Sequence, residues 1–273
     1  MPNEEIKEVF SLEDKVAIVT GAVGLLGKQH CKALSEAGAS VVVCDIETQI
    51  AEEFAQSLSN NSIGEYMDVT DSNSIEVVRK HVLKKFGQVD ILVNNAAIND
   101  RFENPELAIE QSRFENYPLE MWNKSFDVNV TGTFLCSKFF GIEMSKQGKG
   151  SIINIASTYG IVAPDQSIYK NEQGNQTFYK SAAYPATKGA IISFTKYLAA
   201  YWGSKGVRVN ALSPGGVENS QDDFFVKNYS EKTPLGRMAI PGEYKGAIVF
   251  LASDASAYMT GANLIVDGGW TAW

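Results

Sequence analysis

Short apolar runs alternate along the chain with longer stretches whose apolar positions recur every three or four residues. That is the pattern of buried strands separated by amphipathic helices. Residues 15–20, 39–45, 65–69, 90–97, 150–157, 207–213 and 262–270 read as strands or strands running into turns. Residues 28–37, 48–59, 71–86, 119–147, 184–203 and 242–251 read as helices. Ile75, Val78, Val82 and Phe86 share one face of the 71–86 helix, and Ala190, Phe194 and Leu198 point inward from the 184–203 helix. Three segments stand outside the alternation: polar insertions near 98–117 and 160–180, and an irregular stretch near 216–237 with Phe224, Phe225 and Tyr229, which reads as a flap. Strand–helix alternation without an internal repeat predicts an α/β fold, a doubly wound, Rossmann-type parallel sheet of about seven strands. The length of 273 residues allows two domains, but α/β folds of this size often form one, so one domain spanning residues 1–273 is expected.

Composition narrows the function. A net charge of −8 speaks against a nucleic-acid footprint or binding to an acidic membrane. No apolar run approaches the ~20 residues of a membrane span, and residues 1–14 lack the apolar core of a signal peptide. Cys31, Cys44 and Cys136 are odd in number and widely spaced, which suggests reduced thiols, a cytoplasmic location and no zinc site. His30 and His81 sit in separate helices, with His81 a surface or boundary side chain. They form neither a metal cluster nor a histidine triad.

The chemistry gathers at strand ends. Gly21-Ala-Val-Gly24-Leu-Leu26-Gly27 links the first strand to the first helix, where glycines let a pyrophosphate approach the backbone and a helix N-terminus stabilises it. Taken alone, such a loop is equally a tight turn. Asp45 ends the second strand, 45 − 27 = 18 residues after the last glycine, where a carboxylate accepts ribose hydroxyls and repels a 2′-phosphate. Asp68 is placed for an adenine edge, and Asn94-Asn95-Ala96-Ala97 offers small residues against which a flat cofactor could lie. Asn129 is a poor helix-interior residue, so a local kink with a polar role, or a buried hydrogen bond, is expected there. Ser157 lies at the carboxyl end of the fifth strand, where ligands bind in open parallel sheets. Tyr184 and Lys188 are four apart at a helix start, with Pro185 suited to its first position and Tyr184 at the cap. A nearby ammonium favours tyrosinate and makes Tyr184 a candidate acid/base. Tyr201 and Lys205 repeat the spacing at the far end of that helix and read as a chance copy.

In this order, these pieces, with Asp68-Val69, Asn210, Pro214-Gly215 and Val266-Asp267-Gly268-Gly269, resemble the short-chain dehydrogenase/reductase family from Leu12 to Trp270. The resemblance implies a catalytic tetrad of Asn129, Ser157, Tyr184 and Lys188. Tyrosine would be the acid/base, and serine would bond the substrate oxygen. Lysine would hold the nicotinamide ribose and lower the tyrosine pKa, and asparagine would position a water. The cofactor is expected to be NAD, since Asp45 with Ile46-Glu47 and a glycine loop without arginine or lysine offer no cation to a 2′-phosphate; its expected contacts are Gly21, Gly24, Leu26, Gly27, Asp45, Asp68, Val69, Asn95, Ala96, Ala97, Tyr184, Lys188, Pro214, Gly215 and Val217. A homotetramer, or less often a homodimer, packed through the two long central helices is also implied.

Three departures qualify it. Leu25 stands where the family usually has its second glycine, giving a spacing common in the sugar-nucleotide branch. Asn219 replaces a usual threonine. Ser157 and Tyr184 are 184 − 157 = 27 apart, about twice the usual separation. Tyr169 is nearer that usual spacing, but Gln173 follows it at +4. The expectation is an NAD(H)-dependent oxidoreductase interconverting a secondary alcohol and a ketone on a polar, sugar- or polyol-like substrate. Faint likeness to members linked with bacterial surface-sugar biosynthesis points the same way. The alternatives are a sugar-nucleotide epimerase or dehydratase, and a non-catalytic NAD-binding scaffold. The insertion at 160–180 is expected to form part of the pocket through Asp165, Gln166, Tyr169, Asn171, Glu172, Gln173, Asn175, Gln176 and Tyr179, or else a solvated loop or subunit contact.

Overall fold

The computed structural model describes residues 5–99 and 105–273. A one-turn helix, α1 (Ile6–Val9), leads into β1 (Val16–Thr20), α2 (Leu25–Glu36), β2 (Ser40–Asp45), α3 (Thr48–Gln56), β3 (Ile63–Tyr66), α4 (Ser72–Phe86) and β4 (Ile91–Asn94). Next come α5 (Pro105–Ser112), α6 (Leu119–Phe126), α7 (Gly132–Gln147), β5 (Gly150–Ile155) and α8 (Ala183–Trp202). The chain closes with β6 (Val207–Pro214), α9 (Asp223–Glu231), α10 (Lys245–Ala252) and β7 (Asn263–Val266).

The seven strands form one parallel sheet in the order β3-β2-β1-β4-β5-β6-β7, as the alternation predicts. Successive strand residues face opposite sides, and both sides are covered, so both sets are apolar. Ile18, Val42, Leu92, Ile152 and Val209 meet α4, α7 and α8 through Val78, Phe140, Met144 and Trp202. Val19, Val43, Val93, Ile153 and Leu212 meet α2, α3 and α10 through Cys31, Leu34, Ala51, Ile248 and Leu251. The chain leaves β1 toward β2 and later returns to β1's other side as β4. That reversal opens a crevice at the carboxyl ends of β1 and β4, where ligands bind in such sheets.

Several boundaries differ from the sequence reading. The third strand is 63–66 and ends before Asp68, because only Ile63 to Tyr66 pair with β2. The helix at 48–59 stops at Gln56. The helix at 119–147 is interrupted: residues Asp127–Thr131 form a π turn in which Gly132 N–H reaches back to the Asp127 carbonyl. That is the local irregularity Asn129 called for. Part of the 98–117 connection is helical, in α5 and a 3₁₀ turn at Phe114–Asn116, while 100–104 fall outside the described residues. The expected flap is half helix, since Asp222 caps α9 by accepting from Phe225 N–H at 2.9 Å. Helix α8 starts at Ala183, so Tyr184 is inside it and Pro185 is its third residue. The first four N–H groups of a helix lack internal partners, so proline fits there as well as at the first position. The buried face of α8 is Ile191, Thr195, Leu198, Ala199 and Trp202, leaving Ala190 and Phe194 at its border. His81 is at the surface beside Glu65, at 2.6 Å, whereas His30 is fully buried and burial pulls its pKa down to about 3.

Candidate active site

The glycine loop is held by short-range sterics and two hydrogen-bond staples. Gly21 has φ +59°, and a Cβ there would fall 2.7 Å from the Ala96 Cα. A Cβ on Gly27 would collide with the Gly21 carbonyl oxygen. Glycine alone therefore permits this turn and the close approach of α2 to it. Asn95 Nδ2 donates to the carbonyls of Thr20 (3.0 Å) and Gly21 (2.9 Å), while Thr20 Oγ1 accepts from the N–H groups of Asn95 and Ala96. On the opposite side Asp45 Oδ2 accepts from Val23 N–H at 3.0 Å. Asp45 is thus a fixed negative charge against the loop.

These groups surround a cavity of about 1070 Å³. Gly21, Gly24, Leu26, Gly27, Asp45, Asp68, Val69, Asn95, Ala96 and Ala97, all named above as cofactor contacts, line it together. A second cavity, of about 710 Å³, adjoins it through Leu25, Leu26, Asn95 and Ala97. Ser157, Tyr184, Lys188, Pro214, Gly215 and Val217 line this one. The two sets of residues meet over the ends of β1, β4, β5 and β6.

Ser157, 8% exposed, caps the 3₁₀ turn Thr158–Gly160, its Oγ accepting from Tyr159 N–H at 3.1 Å. Burial raises the Tyr184 phenol pKa, and a hydrogen bond from Ser157 lowers it in part. Lys188 is 4% exposed and donates from Nζ to the Ile155 carbonyl at 2.7 Å. Desolvation brings its pKa down to about 8. Its Nζ is 5.7 Å from the Tyr184 ring centroid. Burial sets the direction for the phenol, and the offset comes from the Ser157 hydrogen bond.

Asn129 lines neither cavity. It is 2% exposed, on the π turn, with Oδ1 accepting from Ile98 N–H at 2.8 Å. Its Nδ2 donates to the Ile98 carbonyl (3.0 Å) and to Thr187 Oγ1 (3.1 Å). It couples the loop after β4 to α8, one residue from Lys188. Tyr201 is exposed at the far end of α8, with Lys205 over its ring, well away from these groups. Asn219 is exposed, and Gln221 lines the cavity instead, with Nε2 donating to the Val217 carbonyl.

The insertion does wall the cavity, but through other residues than its polarity suggested. Ile168, Tyr169, Lys170, Thr177, Phe178 and Lys180 line it. Of the nine side chains expected there, Tyr169 alone is among the lining residues. Three of the side-chain amides, Gln166, Asn171 and Gln176, bond backbone. Gln166 brackets Lys180, Gln176 donates to the carbonyls of Gln166 and Phe178, and Asn171 Oδ1 accepts from Gln173 and Asn175. Asp165 pairs with Lys232 at 2.5 Å. Tyr169 packs edge-on against Phe178 and tilted against Phe225, and burial pushes its pKa up to about 12. The sequence reading missed Lys180, whose Nζ stands 4.2 Å from the Tyr184 ring centroid.

A family model described as enoyl-(acyl carrier protein) reductase matches residues 21–271. The chain is 33% identical over 267 residues to an NAD-dependent glycerol dehydrogenase of Listeria innocua, covering 96% of each chain. It is 34% identical over 270 residues to a D-threitol dehydrogenase of Mycolicibacterium smegmatis, covering 96% of this chain and 95% of that one. Its fold superposes with a TM-score of 0.84 and 29% identity on a gluconate 5-dehydrogenase from Burkholderia cenocepacia in complex with NADP and tartrate, over 98% of this chain and 100% of that one. The family match runs from the glycine loop to the last strand, and the chain belongs to the short-chain dehydrogenase/reductase family.

Proposed function

We propose that the protein is an NAD(H)-dependent dehydrogenase that interconverts a secondary alcohol and a ketone on a polyol- or sugar-like substrate. The observation that carries this reading is the pairing of the Ser157 hydroxyl and the Tyr184 phenol on one cavity wall, with buried Lys188 behind them. The residues present suit a dinucleotide: glycines that keep the loop bare, the N-terminus of α2, and a fixed carboxylate at the ribose position. When bound, the nicotinamide supplies the hydride donor or acceptor. The chain's own groups handle the oxygen. Ser157 orients the substrate hydroxyl or carbonyl, and Tyr184 takes or gives its proton. Lys188 offers its ammonium toward the cofactor ribose, and Asn129 fixes the position of α8 through Thr187.

Relatives that act on glycerol and D-threitol support a polyhydroxylated substrate. Asp45 supports NAD over NADP, since its charge would face a 2′-phosphate; Lys124 is the cationic side chain lining that cavity among the described residues. A stripe of aromatic side chains supports assembly into a homotetramer or homodimer through α7 and α8. Phe134 (46% exposed), Tyr197 (62%) and Tyr201 (57%) lie along it, with Tyr197 stacked between Phe194 and Tyr201. Three buried free thiols fit a reducing, cytoplasmic setting; among the described residues no helix is long and apolar enough to cross a membrane. The test is kcat/KM for NAD⁺ and NADP⁺ with a panel of polyols. A clear NAD⁺ preference with polyol turnover is expected. Cofactor binding without turnover of any alcohol or ketone would overturn the enzymatic reading.

A further inference from the structure

Helix α9 and the last turn of the chain meet on one side chain, Tyr229. It is 4% exposed, and its ring stacks on Trp270 with 4.1 Å between centroids and 16° between planes. The turn Asp267-Gly268-Gly269 carries Trp270 there. Gly268 and Gly269 have φ +67° and +92°, and the Asp267 carboxylate accepts from the N–H groups of Gly269 (2.8 Å) and Thr271 (2.9 Å). A Cβ on Gly269 would fall 2.7 Å from Pro234 Cγ, so glycine is what lets the turn close against the segment that follows α9. The motif near the end of the chain thus fixes the ring of Tyr229.

The phenol end of that ring meets Gly216. A Cβ on Gly216 would fall 2.5 Å from Tyr229 Cζ, so the approach needs bare backbone. Gly216 N–H donates to the Tyr229 hydroxyl oxygen at 2.6 Å. Burial holds the phenol pKa above its ordinary value, so this oxygen accepts as a neutral hydroxyl. Residues 214–217 form part of the wall of the cavity that holds Ser157 and Tyr184. Much of this segment is held by backbone: Gly215 N–H donates to the Val266 carbonyl, Ala239 N–H to the Gly216 carbonyl and Glu218 N–H to the Ala239 carbonyl, each at 2.9 Å. Gly216 N–H, by contrast, relies on a side chain.

Hydride transfer requires the nicotinamide carbon to lie against the substrate carbon whose oxygen meets Tyr184. The nicotinamide end of the cofactor therefore belongs in this cavity and the ADP end in the one lined by the glycine loop. We propose that Tyr229 is a positioning residue for the nicotinamide end, its hydroxyl holding residues 214–217 in place through Gly216 N–H. This inference rests on the dehydrogenase reading above and adds to it a residue outside both the glycine loop and the tetrad. A misplacement of about 1 Å can cost about 10²-fold in rate, so one hydrogen bond behind the wall matters to the chemistry in front of it. Tyr229 itself lines the cavity, which makes direct contact with substrate the competing role.

The experiment uses Tyr229→Phe in the full-length protein, which keeps the stack on Trp270 and removes one oxygen. Titration calorimetry compares NAD⁺ with ADP-ribose, the same ligand without its nicotinamide. The variant should bind NAD⁺ about three- to tenfold more weakly, the equivalent of one hydrogen bond, and ADP-ribose within about twofold of the unaltered protein. With the best polyol, kcat should fall by about tenfold or more while KM for the polyol stays within about twofold. Equal weakening of both ligands, or of neither, overturns the proposal, because a merely structural role lowers the melting temperature without sorting the two. A raised polyol KM with unchanged NAD⁺ binding also overturns it and assigns Tyr229 to the substrate. If the unaltered protein binds neither NAD⁺ nor ADP-ribose, the cofactor reading fails and the positioning role falls with it. If the two ligands sort as expected but no alcohol is oxidised, the dehydrogenase reading fails and the positioning role stands.

Discussion

Lys188 Nζ donates to the Ile155 carbonyl at 2.7 Å, tying the second turn of α8 to the last residue of β5. The tie is made by a charged group that burial disfavours, which is why its pKa falls to about 8. A fall from the ordinary lysine value of 10.5 to about 8 corresponds to about 3 kcal/mol of penalty on the charged form. The folded pKa lies below the unfolded one, so the penalty is fully present below pH ~8 and fades as pH rises toward the unfolded value. Lys188→Met removes the charge and one hydrogen bond. It should raise the melting temperature of the cofactor-free protein at pH 7 by a few degrees while eliminating turnover, and the gain should shrink at pH 9.5. Scanning fluorimetry at the two pH values checks this; a lower melting temperature at pH 7 would falsify it.

Proton transfer should depend on Tyr184 and not on Tyr201. Tyr184→Phe keeps the ring and the contact with Lys180 but removes the phenol, so NAD⁺ binding should persist and turnover should fall by about 10²–10⁴-fold. Tyr201→Phe alters a surface residue of the aromatic stripe and should leave steady-state rates within about twofold. Because burial raises the Tyr184 pKa, the neutral phenol dominates at pH 7 and serves ketone reduction. Alcohol oxidation needs the tyrosinate and should accelerate into the alkaline range. A rate of oxidation that falls with rising pH, at saturating cofactor, contradicts the assignment.

Asp45 should have two separable effects on the cofactor. Its Oδ2 anchors the glycine loop through Val23 N–H, and its charge opposes a 2′-phosphate. Asp45→Asn retains an acceptor for Val23 while losing the charge, so it should narrow the NAD⁺-over-NADP⁺ ratio with little change in stability. Asp45→Ala loses both and should also weaken NAD⁺ binding. Titration of the two cofactors by intrinsic fluorescence distinguishes the variants, and equal NADP⁺ use by the unaltered protein would remove the premise.

The strands and the residues at their carboxyl ends were legible because burial on both sheet faces leaves a signature in local sequence. Asp45 and Ser157 could be placed by that signature alone. Asn129 was legible as an oddity, an asparagine inside a helix, and the π turn with its grip on Ile98 and Thr187 is the physical reason. The insertion was legible only in part. Polar composition says that side chains will find partners, not whether those partners are ligand or backbone, and Gln166, Asn171 and Gln176 found backbone. Lys180 acquires its place over Tyr184 from Gln166, fourteen residues earlier, through contacts that exist only after folding. The start of α8 was misjudged because proline is tolerated through the first turn, so Pro185 marked the neighbourhood of the end and not the end itself.

Shortening the insertion should affect substrate and spare cofactor. Replacing residues 165–176 by a glycine–serine link removes Ile168, Tyr169 and Lys170 from the cavity wall and frees Lys180 from its Gln166 bracket. None of the residues lining the glycine-loop cavity lies in that span, so the NAD⁺ dissociation constant should stay within about twofold. KM for the best substrate should rise by tenfold or more, the pattern of lost binding rather than lost chemistry. Ile168 is fully buried against Tyr229, Met238 and Trp270, so the deletion also opens a small core. Removing a buried isoleucine destabilises by about 2–5 kcal/mol, which makes a gentler variant necessary beside it. Gln166→Ala keeps Ile168 and releases only the bracket. It should raise KM in the same direction with a smaller loss of melting temperature. Unchanged KM and kcat in both variants, with NAD⁺ still bound, would show that the segment shields the site without shaping it.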